Sequence, residues 1–234
     1  MEYNFEASLQ IQDIKITPKQ AEQLKKFYEL LVSWNEVMNL TGITEENEVY
    51  RKHFYDSLTP AFYFDFTQIE TLCDVGSGAG FPSFVLKIFF PHLKITIIEA
   101  LEKRIKFLQA VVDALGLEDV KLVHGRAEEI GRATPAIFDV VTARAVARLP
   151  MLAELCIPLV KVGGTFIVLK GEQGLDELAE AAHAIKVLGV TEITERMLYL
   201  DKENDKRIIF FMNKGNKTPK IYPRIFGKIK KSPL

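Results

Sequence analysis

The sequence predicts an α/β protein in which a mainly parallel, twisted sheet carries helices on both faces behind an N-terminal helical cap. Three observations carry that expectation. From Thr71 onward, short β-branched runs alternate with helical stretches. The first of those runs ends in a glycine-rich turn, Gly76-Ser77-Gly78-Ala79-Gly80. Before Thr71 the apolar residues recur at helical spacing.

The elements follow in order. Residues 1–16 carry weak periodicity. Thr17-Pro18 reads as a helix start, a hydroxyl cap followed by proline in the first turn. Leu24, Phe27, Leu31, Trp34 and Met38 then form one apolar stripe on a helix that ends near Asn39. After a loop over 39–43, a second helical stretch over about 46–63 carries His53, Asp56 and Ser57. Strand one covers 72–75, and a helix over 81–90 is stopped by Pro91. Strand two covers 94–98, and a helix over 101–115 is closed by Gly116. Strands three and four cover 120–123 and 138–142. A helix over 151–159 leads to a turn at Gly163-Gly164 and to strand five, 165–169. A helix over 172–188 precedes a final antiparallel pair, 192–200 and 207–211, joined by a polar turn over 201–206. The pattern divides the chain into a cap (1–66), a core (67–213) and a basic C-terminal tail (214–234).

At 234 residues and 48% hydrophobic, the chain can bury a sizeable core. Its apolar runs, such as 84–90, are too short to span a bilayer, and no secretory signal is read at the start. Cys73 and Cys156 make no metal-type pair and read as buried free thiols of a reducing compartment. The expectation is a cytoplasmic protein with no membrane contact, no metal and no obligate protein partner. Charge is uneven. The chain has 30 basic and 31 acidic residues, yet 213–234 holds seven basic ones and no acid. A cationic tail on an acidic body points to an anionic partner.

Gly76, Gly78 and Gly80 remove side chains where a backbone turns sharply and approaches a ligand. On a strand–turn–helix they hold a nucleoside-bearing cofactor beside a helix N-terminus. The dinucleotide pattern requires a third glycine at position 81, which here is Phe81. Asp74 would repel a pyrophosphate. It could instead accept from the ammonium group of S-adenosylmethionine (SAM), or order the glycine loop. Glu99, at the end of strand two, suits a ribose diol. Beyond strand three, Arg126-Ala127-Glu128 lies where a backbone N–H commonly meets an adenine edge, although Glu128 could equally be a surface charge. Arg144, at the end of strand four, should point into the cleft, with Arg148 one turn on; an ion pair with an acidic neighbour is the alternative for either. The constellation reads as a Rossmann-like SAM-dependent methyltransferase.

The acceptor is narrowed by motifs that are missing. The segment 139–144 lacks the Asn/Asp-Pro-Pro-Tyr grip used on exocyclic amines. Neither cysteine is placed as the nucleophile that pyrimidine C5 methylation needs. Guanine N7 has a free lone pair and needs no deprotonation. No general base is then required, and Arg144 is the candidate for aligning the substrate. In the tail, Lys220, Tyr222, Arg224 and Lys228 mix cations with an aromatic. Such a mix can contact phosphates and stack on bases, or simply keep a disordered tail soluble.

Several segments together resemble the RsmG (GidB) family of bacterial 16S ribosomal RNA methyltransferases. They are Trp34-Asn35 with Asn39-Leu40-Thr41, His53-Phe54-Tyr55-Asp56-Ser57-Leu58, and Asp74 to Pro82. Arg126-Ala127-Glu128, Thr142 to Ala147, Tyr222-Pro223-Arg224 and the ending Lys231 to Leu234 complete the match over nearly the whole chain. The resemblance implies SAM as cofactor and methylation at N7 of one guanine in the decoding-region loop of 16S ribosomal RNA, as free RNA or within the small subunit. It also implies cofactor contacts at Gly76, Phe81, Ala127, Glu128 and Arg144, to which the residues themselves add Asp74, Gly78, Gly80 and Glu99. His53 and Asp56 would brace the cofactor loop, face RNA, or form a buried hydrogen-bonded pair. The competing readings are a NAD-binding oxidoreductase and an RNA-binding module with a vestigial cofactor site.

Overall fold

The computed structural model describes residues 3–200 and 205–234. The cap opens with α1 (Phe5–Gln10), a single short helix for which the sequence shows no period. Asn4 caps it, accepting from the Ala7 N–H at 2.9 Å, and Phe5 and Leu9 are buried. In α2 (Pro18–Met38), Thr17 and Gln20 form a reciprocal capping box, and Asn39 closes the helix at φ 49°. The Asn35 Oδ1 accepts from the N–H groups of Leu40 and Thr41 at 2.6 and 2.8 Å, which fixes the loop after the helix.

The expected second helix is four pieces: α3 (Glu46–Val49), a π-helical segment (Tyr50–Tyr55), α4 (Asp56–Leu58) and a 3₁₀ turn (Thr59–Phe62). The wider π turn has no side-chain signature of its own and is a common feature of functional sites. It carries Lys52 and His53 toward the core.

The core then runs β1 (Thr71–Val75), α5 (Ser83–Phe89), β2 (Lys94–Glu99), α6 (Glu102–Leu115), β3 (Val120–His124), α7 (Ala127–Ala133) and β4 (Phe138–Arg144). It continues through α8 (Leu149–Cys156), β5 (Val160–Lys170), α9 (Gly174–Glu180), α10 (Ala182–Val187), β6 (Val190–Tyr199), β7 (Lys206–Lys214) and α11 (Phe226–Lys231). Three expectations are corrected. The short helix α7 follows Arg126 directly. The stretch 172–188 breaks into two helices at Ala181. Gly163-Gly164 is not a turn but lies inside β5. The β4–β5 pairing jumps from Phe138↔Val160 to Val140↔Thr165, and Gly163 absorbs the surplus residues at φ +85°. The turn expected over 201–206 falls on 201–204, outside the described residues.

The sheet order is β3-β2-β1-β4-β5-β7-β6, with β7 antiparallel to both neighbours and the remaining pairs parallel. Side chains alternate between its faces. Leu72, Ile95, Ile97, Ile167 and Ile209 pack with the cap and α6. Cys73, Ile98, Val141, Phe166 and Phe210 pack with α8, α10 and α11. Both cysteines are free and buried. Strand order reverses at the β1/β4 boundary, so a crevice opens above the carboxyl ends of those strands. The C-terminal segment lies against the core: Ile229 is buried, and Arg224 pairs with the buried Glu154 of α8 at 2.7 Å. Among the described residues, no helix is long and apolar enough to cross a membrane.

Candidate active site

β1 delivers the chain to the crevice, and three glycines turn it back at φ +70° (Gly76), +62° (Gly78) and +92° (Gly80). Their surroundings differ. A Cβ on Gly78 would meet nothing within 4 Å, so its bare backbone borders open space. A Cβ on Gly76 would lie 2.9 Å from Val146 Cγ2, and one on Gly80 would overlap the Phe84 ring. The sequence groups Gly80 with the cofactor contacts; the structure gives its missing side chain a packing reason.

Asp74 is fully buried. Its Oδ2 accepts from the Ser83 N–H at 3.2 Å, which ties the start of α5 to β1. Its Oδ1 has no partner, and neither do the buried hydroxyls of Ser77, Ser83 and Thr142. Burial pushes the Asp74 carboxyl up to about 7, against the opposing hydrogen bond from the Ser83 N–H. A buried polar atom without a partner costs about 1–3 kcal/mol, so this group of atoms marks where a ligand's donors would be stabilised. One expectation changes. The helix begins at Ser83 rather than Phe81, and its first N–H groups are taken: Phe81 N–H donates to Ser77 O, Phe84 N–H to Gly80 O and Ser83 N–H to Asp74.

The Phe81 ring, at the position a dinucleotide site reserves for glycine, faces the cap. It stacks on Phe27 and His53 at centroid distances of 5.1 and 4.7 Å, and the Arg144 guanidinium lies 5.0 Å from its centroid. It pins the glycine loop to the cap and to β4.

At the ends of β2 and β3, Glu99 is buried and its Oε1 accepts from the Leu101 N–H at 3.0 Å. Its Oε2 lies 3.4 Å from Arg104 Nη1. Ala127 and Glu128 are buried at the start of α7, so Glu128 is an interior group, held by Arg126 Nε at 2.8 Å. Leu101 and Val146 flank the loops as exposed apolar side chains, 45% and 38% accessible. Sequence reasoning misses both, because a lone apolar residue in a loop belongs to no pattern.

On the cap side, Arg144 donates to Asp56 Oδ2 at 2.9 Å and to the Lys52 carbonyl at 3.1 Å, and its Nη2 lies 3.3 Å from His53 Nδ1. Arg207 Nε donates to the other Asp56 oxygen at 3.1 Å. Asp56 therefore joins the cap to β4 and β7 at once. His53 Nε2 lies 2.9 Å from Thr41 Oγ1. Burial, and then the Arg144 charge, push the His53 imidazole down to about 3. A cavity of about 570 Å³ opens here, with Lys52, His53, Arg144, Arg148, Lys170 and Arg207 in its walls. Lys170 Nζ donates to Ala147 O and pairs with Glu177 Oε2, both at 2.7 Å, and Glu177 also accepts from the Leu149 N–H. These bonds fix the loop after β4, where Ala145 takes φ 56°. Lys52, Lys170 and Arg207 escape a sequence reading because an isolated cation looks like a solvated surface charge.

The other sequence candidates separate. His53 and Arg148 line this cavity, although Arg148 Nη2 also donates to both carboxylate oxygens of Glu180. Lys220 and Tyr222 line a different one. Arg224 holds Glu154 and the Ser232 carbonyl, and Lys228 is exposed on α11. No group of acidic, cysteine or histidine side chains suited to a metal occurs among the described residues.

The family model "rRNA small subunit methyltransferase G" (GidB) matches residues 20–208. A ribosomal RNA small subunit methyltransferase G of an Exiguobacterium species is 52% identical, with 100% of this chain and 99% of that protein covered. One from Brevibacillus brevis is 54% identical, with 98% of each covered. Among solved structures, cofactor-bound Rv0187 from MTB superposes with a TM-score of 0.59 at 14% identity, covering 92% of this chain and 100% of that one. The SAM-bound O-methyltransferase TomG of Streptomyces achromogenes gives 0.57 at 13%, covering 91% and 97%. These two share the fold alone. The chain belongs to the ribosomal RNA small subunit methyltransferase G family, and it is a SAM-dependent methyltransferase.

Proposed function

Proceeding from that membership, we propose that the chain methylates N7 of one guanine in the decoding-region loop of 16S ribosomal RNA, in the cytoplasm. SAM supplies an electrophilic methyl group on a sulfonium. The glycine loop at Gly76 and Gly78, the unpartnered Asp74 oxygen, Glu99, and Ala127 with Glu128 suit its ammonium, ribose and adenine parts. In this reading Phe81 and Arg144 act from the cap side, by fixing the loop and the acceptor.

One observation supports N7 over an acceptor that must lose a proton. Among the described residues lining the 570 Å³ cavity, each carboxylate is already engaged. Asp56 is held by two arginines, and Glu177 by Lys170 and the Leu149 N–H. Neither carboxylate is free to act as a base, the neutral His53 imidazole has its nitrogens against Thr41 Oγ1 and Arg144 Nη2, and a ring nitrogen with an exposed lone pair needs no base. The surrounding cations can hold phosphate and base in line for attack.

The test is methyl transfer from labelled SAM to 16S RNA, followed by borohydride–aniline cleavage, which cuts at N7-methylguanosine. One cleavage site is expected. Label on an exocyclic amine, or no label in 16S RNA or small subunits, would refute the assignment.

A further inference from the structure

A second cavity, of about 710 Å³, lies at the opposite end of the sheet from the crevice. Lys214 ends β7, which runs antiparallel to β5, so it sits beside Val160 and Val162 at the amino end of the parallel strands. Arg132, from the last turn of α7, Lys217 and Lys220 complete a cationic wall. None of the described residues that line it is acidic. Arg132, Lys217 and Lys220 are exposed and make no ion pair among the described residues. That concentration stands out on a chain whose acids slightly outnumber its lysines and arginines.

The wall is also built, not merely charged. The Lys214 side chain is 1% exposed, and its Nζ donates to the carbonyls of Ile157 and Val160 at 2.8 and 2.7 Å. An ammonium has three N–H donors, so one remains for a ligand. Burial alone pushes this group down to about 8, and an anion set against it would relieve that penalty. The segment bearing Lys217 and Lys220 is anchored downstream. Pro223 lies against Gly131, 3.3 Å from where a Cβ would stand, and Arg224 grips Glu154. The backbone that bears these cations is thus held in place before any ligand arrives, which lowers the cost of binding. Tyr222 adds an aromatic wall.

We propose that this cavity is a second contact site for the substrate RNA, holding its phosphodiester backbone with Arg132, Lys214, Lys217 and Lys220 and packing a base or ribose on Tyr222. The proposal rests on RNA being the substrate. One buried cation beside three exposed ones suits a backbone running past better than a compact free anion, which would draw on converging buried donors. The transferase would then grip its RNA at two ends of the sheet, one for the reacting base and one for register.

The test compares the charge reversals K217E/K220E with K25E/K26E, which makes the same charge change on exposed residues of α2. Affinity for 16S RNA is measured from low to high salt, with SAM affinity as a folding check. Losing two phosphate contacts should flatten the slope of log K against log salt by about 1.5. Affinity near physiological salt should fall roughly tenfold, with SAM affinity unchanged and the α2 variant like wild type. An unchanged slope, or an equal loss in both variants, would overturn the proposal. So would inorganic phosphate giving the wild type the same thermal shift as RNA. Wild-type protein that binds 16S RNA without methylating it would instead refute the proposed function, and the slopes would still judge this site.

Discussion

The two sides of the β1/β4 crevice handle charge in opposite ways. On the β1 side, Asp74 keeps one oxygen unpartnered in the interior, and Ser77 of the glycine loop adds a hydroxyl without a partner. Toward the cap, β4 and β7, the Asp56 carboxylate is held by two arginines, which are fixed in place through it. An under-satisfied acidic pocket is stabilised by a cationic donor molecule. A cross-braced cationic cavity is already rigid and offers its charge to an anion. The difference supports the proposed division, with the methyl donor on the first side and nucleic acid on the second.

The sharpest way to break that division is at the glycine loop. Gly78→Val fills open space at the carboxyl edge and should raise the SAM dissociation constant by about a hundredfold or more, ~2.7 kcal/mol, measured by calorimetry. Gly80→Ala presses on Phe84 and should cost about 1–3 kcal/mol of stability while leaving the SAM affinity of the folded protein within about threefold. Equal SAM losses in both would mean that the loop acts as one undifferentiated unit.

Next in size is Asp56→Ala on the cationic side. It strands Arg144 and Arg207 together. Breaking a buried pair costs about 3–5 kcal/mol, and the 14% and 21% exposure of the arginine side chains lowers the expectation to about 2–3 kcal/mol. Urea denaturation reads this directly. A loss below about 0.5 kcal/mol, in the range of an exposed pair, would show that the brace is only superficial.

The smallest effect tests the acidic side through pH. The Asp74 carboxyl is raised from 3.8 to about 7, so the ligand-free folded protein holds that proton where the unfolded chain has lost it. Its contribution to stability is full below about pH 4 and disappears as pH rises through 7. Binding of a cationic ligand has the opposite slope, because the ionised form receives it. SAM affinity should therefore tighten several-fold between pH 6 and 8, and Asp74→Asn should flatten that rise. An identical rise in the variant would exclude Asp74 as its source.

Local signals in the chain located most elements because they are backbone preferences acting over a few residues. Thr17-Pro18 starts α2, Asn39 and Gly116 close helices in the left-handed region, and Gly76 to Gly80 mark the turn after β1. The same signals fail where a helix changes pitch, as at Tyr50–Tyr55, or where a strand absorbs extra residues, as at Gly163. At the site, Asp74, the glycines and Glu99 are legible because they lie within 26 positions on one strand–turn–helix–strand unit. The cap-side network was not. Arg144 and Arg207 stand 88 and 151 positions from Asp56.

The sequence by itself determined the α/β class, the glycine turn, the acidic residues around it and the family, since each is written in short segments of fixed spacing. Only the tertiary structure decided that Phe81 faces the cap, that Gly80 serves packing, and that Asp56 unites two arginines. It also decided that the basic C-terminal residues lie in two separate places. Those outcomes depend on which distant groups are buried together, and the strength of a charge pair or a ring stack is set by that shared burial, which no local pattern encodes.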